Sequence, residues 1–284
     1  MSSLLPSLAR RAFGCALSLL RDRMRMLREA PPLPGAPDFP GLEQGLAVYC
    51  IGDLHGRTDC LLAAHDLIDA DCRTQNHVRV VEVYLGDYVD RGPDSAGVID
   101  ALLARAQQAS CRFLRGNHER ALCDFLDGRM PLESWRAIGG YETIMSYGVD
   151  PRTLARSGKD APAVLARNMP QAHHAFLGSL VNAMTIGPYF FAHAGVRPGI
   201  PLEAQAEKDL LWIRDKFLAS TEDFGAVVVH GHTPAPEPQL LFNRINLDTG
   251  AYATGHLGIA RIDSSASRLF APPSTRPRAG FRAP

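Results

Sequence analysis

The chain is predicted to fold as an α/β protein, and three observations carry that prediction. An apolar run, a polar glycine-bearing loop and a helical pattern follow one another three times in the first half of the sequence. Each of these loops carries carboxylate, amide or imidazole groups just past the apolar run, where open α/β sheets place their ligands. The 284 residues are 46% hydrophobic, enough for a large core in one domain.

Residues 1–45 precede the repeating pattern. At ~100° per residue, Arg10, Arg11, Arg21, Arg25 and Arg28 share one helical face, with Leu5, Leu8, Leu19, Leu20, Met24 and Leu27 opposite. The stretch reads as a basic amphipathic helix packed on the domain; weak contact with a membrane surface is the alternative. Arg21, Asp22 and Arg23 follow its short apolar core with no small-residue cleavage pattern, which argues against a signal peptide. No uninterrupted apolar run approaches the ~20 residues of a membrane span. Residues 30–45, rich in proline and glycine, read as a linker into the fold.

The domain is expected over 46–263. Residues 46–51 (LAVYCI) form a first strand, and Leu61, Leu62, His65 and Ile68 set the helical period of 58–70. A second strand, rich in valine, runs through 78–85 and ends in the loop GDYVDRG. Residues 95–107 give another helix, and 111–114 a third strand that leads into RGNHE. From 127 to 180 the pattern changes to short helices and turns, read as a helical insertion that walls a cleft. Strands are then expected at 183–186, 189–192, 227–229, 240–247 and 257–262, with a helix at 203–211 between them. The tail 264–284 contains several prolines and no acidic residue, and reads as disordered.

Composition excludes some functions. Thirty basic and thirty acidic residues give a formal charge of zero, so no basic excess points to nucleic acid. The six cysteines include no CxxC pair and read as free thiols in a reducing compartment, taken as the cytoplasm. Neither GxxxxGK[ST] nor GxGxxG occurs.

The strand-end loops together hold Asp53, His55, Asp87, Asp90, Asn117, His118, His193 and His232. Carboxylate, imidazole and amide donors suit borderline metals such as manganese, iron or zinc. The absence of cysteine argues against a structural zinc site. A centre of two ions ~3.5–4 Å apart would serve in-line displacement at phosphorus.

GDLHG, GDYVDRG, GNHE, HAG and GHTP, in this order, resemble the calcineurin-like metallophosphoesterases. Within them the resemblance is to the bacterial serine/threonine protein phosphatases of the PPP branch. It covers residues 47–262, including WRAIGGYETIMSYG, LLWIRDKF and NRINLDTGAY. It implies two central mixed sheets flanked by helices, an α/β/β/α sandwich. It also implies two divalent ions, manganese foremost, with iron, zinc or nickel as alternatives. Asp53 and His55 would bind the first ion, Asp87 would bridge, and Asn117, His193 and His232 would complete the second. His118 resembles the general acid, Asp90 its orienting partner, and Arg91 and Arg214 the phosphate clamps. The guanidinium fork suits phosphate oxygens independently of any resemblance.

One departure stands out. Distant members end this motif GHxH, whereas here it reads Gly231, His232, Thr233, Pro234 without the final histidine, as in the protein-phosphatase branch, and the resemblance then implies fewer protein ligands for the first ion. His230 reads as a capping or packing residue, with a place in the site as the alternative. Asp248 and Tyr252 either line the cleft or form a strand-end turn, Arg115 reads as a structural or rim residue, and Trp135 and Trp212 as packing residues. The expected activity is hydrolysis of phosphoserine and phosphothreonine in proteins, or of small phosphoesters. The alternative is a dinucleoside polyphosphate hydrolase of the diadenosine tetraphosphate type.

Overall fold

The computed structural model describes residues 37–75, 77–265 and, as backbone, 267–270. The basic helix expected in the first 30 residues and the tail beyond 270 lie outside the described residues.

Strand β1 (Leu46–Ile51) explains the layering. It is buried at all six positions, and successive side chains leave it on opposite faces. Ala47, Tyr49 and Ile51 enter a core shared with helices, whereas Val48 and Cys50 enter a core shared with a second sheet. A strand covered on both sides reads as a continuous apolar run, which is what LAVYCI is. Its parallel neighbour β2 (Arg79–Tyr84) pairs with β3 (Cys111–Phe113). Helices α1 (Thr58–Cys72) and α2 (Ser95–Ala106) are the crossovers between these strands.

The second sheet pairs β4 (Ala183–Ile186), β5 (Tyr189–Ala192), β6 (Val227–His230), β7 (Gln239–Leu241) and β8 (Arg244–Asn246) in the order β4-β5-β6-β8-β7. Tyr189, Phe191, Val227, Val229 and Ile245 pack against Val48, Cys50, Val81 and Val83 of the first sheet. On the far side, Phe190, Ala192 and Val228 receive Leu210, Ile213 and Phe217 from the segment after β5. The result is the helix–sheet–sheet–helix sandwich that the resemblance implied, and both sheets are mixed.

Four boundaries differ from expectation. Phe39 and Leu42, among the prolines of the expected linker, are buried in the inter-sheet core, and the Tyr189 hydroxyl donates to the Pro40 carbonyl at 2.7 Å. The end of that segment therefore belongs to the domain. Phe39→Ala should cost about 3 kcal/mol in denaturant unfolding; an unchanged midpoint would return the segment to linker status. At the other end, the tail expected from 264 contributes β10 (Ser267–Phe270), antiparallel to β9 (Ile259–Ile262), itself antiparallel to β1. Four residues are too few for a periodic signal. The single strand expected over 240–247 is a hairpin, β7 and β8. The helix expected at 203–211 is a 3₁₀ turn, Leu202–Ala204, followed by the helix Glu207–Trp212.

Between 127 and 180, short helices form the insertion, among them Leu132–Trp135, Tyr141–Ser146 and Gln171–Ser179. It packs on the helical face of the first sheet through Trp135, Ile144, Leu154, Leu165 and Phe176.

Candidate active site

Five loops leave the C-terminal ends of β1, β2, β3, β5 and β6 and converge. Their backbone is unusual: His55, Asp87, Asp90, Arg91 and His232 all adopt positive φ, between 42° and 71°. A non-glycine residue in this left-handed region costs roughly 1–2 kcal/mol, so the surroundings must hold it. Asp87 C=O accepts from the N–H groups of Leu54 and His55 at 3.1 and 2.7 Å. Gly92 passes so close to the first loop that a Cβ there would lie 1.8 Å from the His55 carbonyl oxygen. The final glycine of GDYVDRG is thus required by contact.

Glu119 is the fastener of the second loop. Buried at the start of the helix Asn117–Leu126, its carboxylate accepts from the backbone N–H groups of Asp87 (2.8 Å), Tyr88 (2.7 Å), Val89 (3.1 Å) and Gly116 (2.9 Å). Burial and the nearby Asp87 push its pKa up to about 7, while the Val89 N–H pulls the other way. Sequence reading quoted Glu119 only as a letter of GNHE. Glu119→Gln turns an N–H₂ group toward N–H donors and should destabilise the protein by about 1–3 kcal/mol. Calorimetric melting would show this, and an unaltered melt would remove Glu119 from the role.

The expected ligands come together. The Asp87 carboxylate divides between two groups: Oδ2 lies 3.3 Å from His55 Nε2, and Oδ1 lies 3.3 Å from His193 Nε2. Asn117 Oδ1 sits 2.9 Å from His193 Nε2 and 2.8 Å from His232 Nδ1. His232 N–H donates to Asp53 Oδ2 at 3.0 Å. Two clusters follow, His55–Asp87–His118 and Asp87–His193–His232, joined by Asp87; Asp53, expected beside His55 on the first ion, belongs to neither, and His118, expected as the acid, stands in the first.

The donor set fits cations by its unmet needs. Asp53 Oδ1, His55 Nε2 and His232 Nε2 are buried without a hydrogen-bond partner, a costly arrangement for polar atoms with nothing to bind. His55 and His193 make Nδ1 contacts of 2.9 Å to the Val89 and Leu85 carbonyls. If those nitrogens carry the protons, Nε2 is left bare toward the site, as in histidines that bind metal. Burial holds the His55 pKa well below its usual value, and burial with His193 pulls His232 down to about 2, which favours the neutral rings that ligands need; burial opposes a charge on His193 too, but Asp87 raises it to about 10, so a cation there would have to displace a proton. Burial pushes Asp87 up, yet His193, His118 and His55 outweigh it and hold the carboxylate well below its usual range. Burial and Asp248 raise Asp53, the mark of negative charge gathered without a counter-charge.

His118 is buried, with Nδ1 2.8 Å from Asp90 Oδ2 and Nε2 3.9 Å from Asp87 Oδ2. Burial opposes a charged imidazole, but Asp87 and Asp90 together raise its pKa above the usual value. Arg91 stands with its guanidinium carbon 5.1 Å from the centre of the Tyr252 ring, and that ring meets His55 edge-on. Arg214 occupies the turn after Glu207–Trp212, close enough to depress His232. Asp248 is buried in the strand-end turn, where its carboxylate accepts the Gly250 N–H at 2.9 Å and stands near enough to Asp53 to raise it, and Tyr252 follows beside His55 and Arg91.

His230 keeps its expected packing role, and two other expectations change. His230 does not reach the site: its ring packs on Phe217, with centroids 4.9 Å apart. Arg115 is not seen in an ion pair among the described residues; its Nε is buried without a partner. Trp135 does more than pack, because its Nε1–H donates to Asp90 Oδ2 at 3.1 Å.

Comparison with known proteins gives the same picture. The model of the calcineurin-like phosphoesterases matches residues 46–260. A bis(5'-nucleosyl)-tetraphosphatase (asymmetrical) of Anoxybacillus flavithermus is 29% identical over 210 residues, 68% of this chain and 79% of the relative. Serine/threonine-protein phosphatase 1 of Salmonella typhimurium is 29% identical over 224 residues, 76% and 91% of the two chains. The structure of a protein serine/threonine phosphatase from Saccharomyces cerevisiae shares the fold at 16% identity, with a TM-score of 0.52 over 92% of this chain and 90% of that one.

Proposed function

Because the chain belongs to the calcineurin-like phosphoesterase family, we propose that it hydrolyses phosphate monoesters and that phosphoserine and phosphothreonine proteins are its substrates. The observation that carries the substrate class is the buried His118–Asp90 pair. A serine or threonine alkoxide is a poor leaving group and needs a proton as the P–O bond breaks. A phosphoanhydride releases a phosphate that departs as a stable anion. A dedicated acid is of most use to the alkyl ester.

Asp53, His55, Asp87, Asn117, His193 and His232 would hold two divalent ions, with manganese the choice here and iron, zinc or nickel the alternatives. Such ions, when bound, supply Lewis acidity and a water of lowered pKa. The chain's own residues do the rest. Arg91 and Arg214 bind the phosphate oxygens and orient the phosphorus. Asp90 accepts the Nδ1–H of His118, which fixes the tautomer and leaves the Nε2 proton for the leaving oxygen.

A second reading, hydrolysis of bis(5'-nucleosyl) tetraphosphates, is favoured by a cavity beside the site. Lys208, Trp212, Arg214 and Lys216 line it together with Arg197, which is paired with Asp209. The Trp212 indole is 42% exposed and 6.3 Å from the His232 ring centre, placed to stack a base while the cations take further phosphates. One preparation, assayed on a phosphoserine peptide and on diadenosine tetraphosphate with manganese, nickel, zinc and magnesium, separates the two. The first reading expects the higher kcat/KM on the peptide; the reverse order would assign the second. A cytoplasmic location belongs to the same proposal, supported by five free cysteines among the described residues. No helix among those residues is long and apolar enough to cross a membrane.

A further inference from the structure

We propose that Trp135 and Thr143, both from the helical insertion, are positioning residues for proton donation to the leaving group. The inference rests on His118 being the acid. Asp90 is fully buried, and three side-chain groups approach its carboxylate: His118 Nδ1 at Oδ2 (2.8 Å), Trp135 Nε1–H at Oδ2 (3.1 Å) and Thr143 Oγ1–H at Oδ1 (2.7 Å). Two of the three come from the insertion. Carboxylate χ torsions of aspartate are broad and roughly two-fold, so the plane in which His118 finds its partner is set by these other donors.

The hydroxyl network has one consistent direction. The Thr143 proton is used on Asp90 Oδ1, so at its 2.9 Å contact with Ser95 Oγ the serine must donate. Both hydroxyl oxygens then accept the Asp90 N–H, at 3.1 and 2.9 Å. Thr143 thereby holds Asp90 at backbone and side chain, at a residue whose φ is 71°.

Trp135 is fixed just as closely. Its ring stacks on Phe125, which belongs to the same helix as His118, with centroids 4.8 Å apart and planes at 25°. A Cβ at Gly140 would come within 2.4 Å of the indole, so the insertion backbone also lies against the ring. Gly139, at φ 118°, accepts the Arg91 N–H at 3.0 Å, and a Cβ there would sit 2.7 Å from Arg91 Cγ. Packing alone would be served by any large apolar ring; the indole N–H aimed at Asp90 needs another reason.

In the step concerned, a water oxygen bonds to phosphorus and gives up a proton to solvent as the ester P–O bond breaks; the electron pair of the broken bond goes to the leaving oxygen, which takes the Nε2 proton of His118 and leaves that imidazole neutral. A misaligned imidazole loses this transfer and nothing else, so an ester whose leaving group departs as a stable anion is spared. Trp135→Phe and Thr143→Val should each lower kcat on phenyl phosphate by about 10–100-fold, the usual loss for a residue that orients a reacting group. On p-nitrophenyl phosphate the loss should stay within about threefold. Thr143→Ser should restore the wild-type ratio of the two esters, and His118→Asn, measured beside them, should show the same discrimination more strongly. Equal losses on both esters, or none, with His118→Asn still discriminating, would overturn the positioning role and leave packing. No discrimination in His118→Asn would instead overturn the acid and the inference with it. Should Trp135→Phe fail to fold, Thr143→Val and Thr143→Ser decide the matter.

Discussion

His118→Asn should lower kcat on a phosphoserine peptide by about 10²–10⁴-fold, or about 3–5 kcal/mol of barrier, while both ions still bind. The asparagine amide cannot deliver a proton at neutral pH, so the alkoxide must leave unaided. The ligands themselves are untouched: Asp87 still lies 3.3 Å from His55 and from His193. What His118 also provides is an edge-on contact with the His55 ring, centroids 4.7 Å apart, and a backbone N–H to Asp87 Oδ1 at 3.1 Å. The backbone bond survives the substitution. Steady-state kinetics with metal analysis on one sample checks both halves of the expectation. A kcat near wild type would exclude His118 as the acid; loss of metal would make it a ligand.

Asp87→Asn should have the larger effect on metal content, lowering affinity for both ions by at least about 100-fold, beyond the 10–100-fold typical of outer partners. The substitution removes the charge and turns an N–H₂ group toward the Nε2 of His55 or of His193. Backbone strain is not the cause, because asparagine tolerates the left-handed conformation that residue 87 adopts at φ 54°. His232→Ala is the comparison, since it belongs to one cluster only and should release one ion of two. Metal counted per chain after dialysis distinguishes them. Retention of one ion by Asp87→Asn would show that the carboxylate does not join the clusters.

Much of this site was legible in the sequence because each ligand stands directly after an apolar run. Strand ends need no tertiary knowledge to locate: β1, β4 and β5 lie where the runs placed them. The sandwich of two sheets came from resemblance to a family, since periodicity says nothing about which strands pair. Glu119, Trp135 and Thr143 were not legible as site residues. Their work is done by hydrogen bonds that exist only once a helix or the insertion has docked. The hairpin of β7 and β8 was missed because its turn, Phe242-Asn243, lacks the glycine that usually marks a two-residue loop. Phe39 and Leu42 were hidden by the prolines around them.

The proposed ligand set is shared between the sheets: Asp53, His55, Asp87 and Asn117 follow strands of one, His193 and His232 strands of the other. The His232 N–H reaches an Asp53 oxygen from 179 positions away in the chain. Contacts of such separation form late in folding, after the loop-closure entropy of the intervening chain has been overcome. A nascent or partly unfolded chain therefore has no complete centre, and hydrolytic competence arrives with the last docking event. If that set holds two cations, they would act as a rivet across the sandwich. Ligands that bind only the folded state raise its stability by mass action, by about 2.7 kcal/mol at one hundred times the dissociation constant, and here that stabilisation acts where the two halves of the molecule would otherwise part.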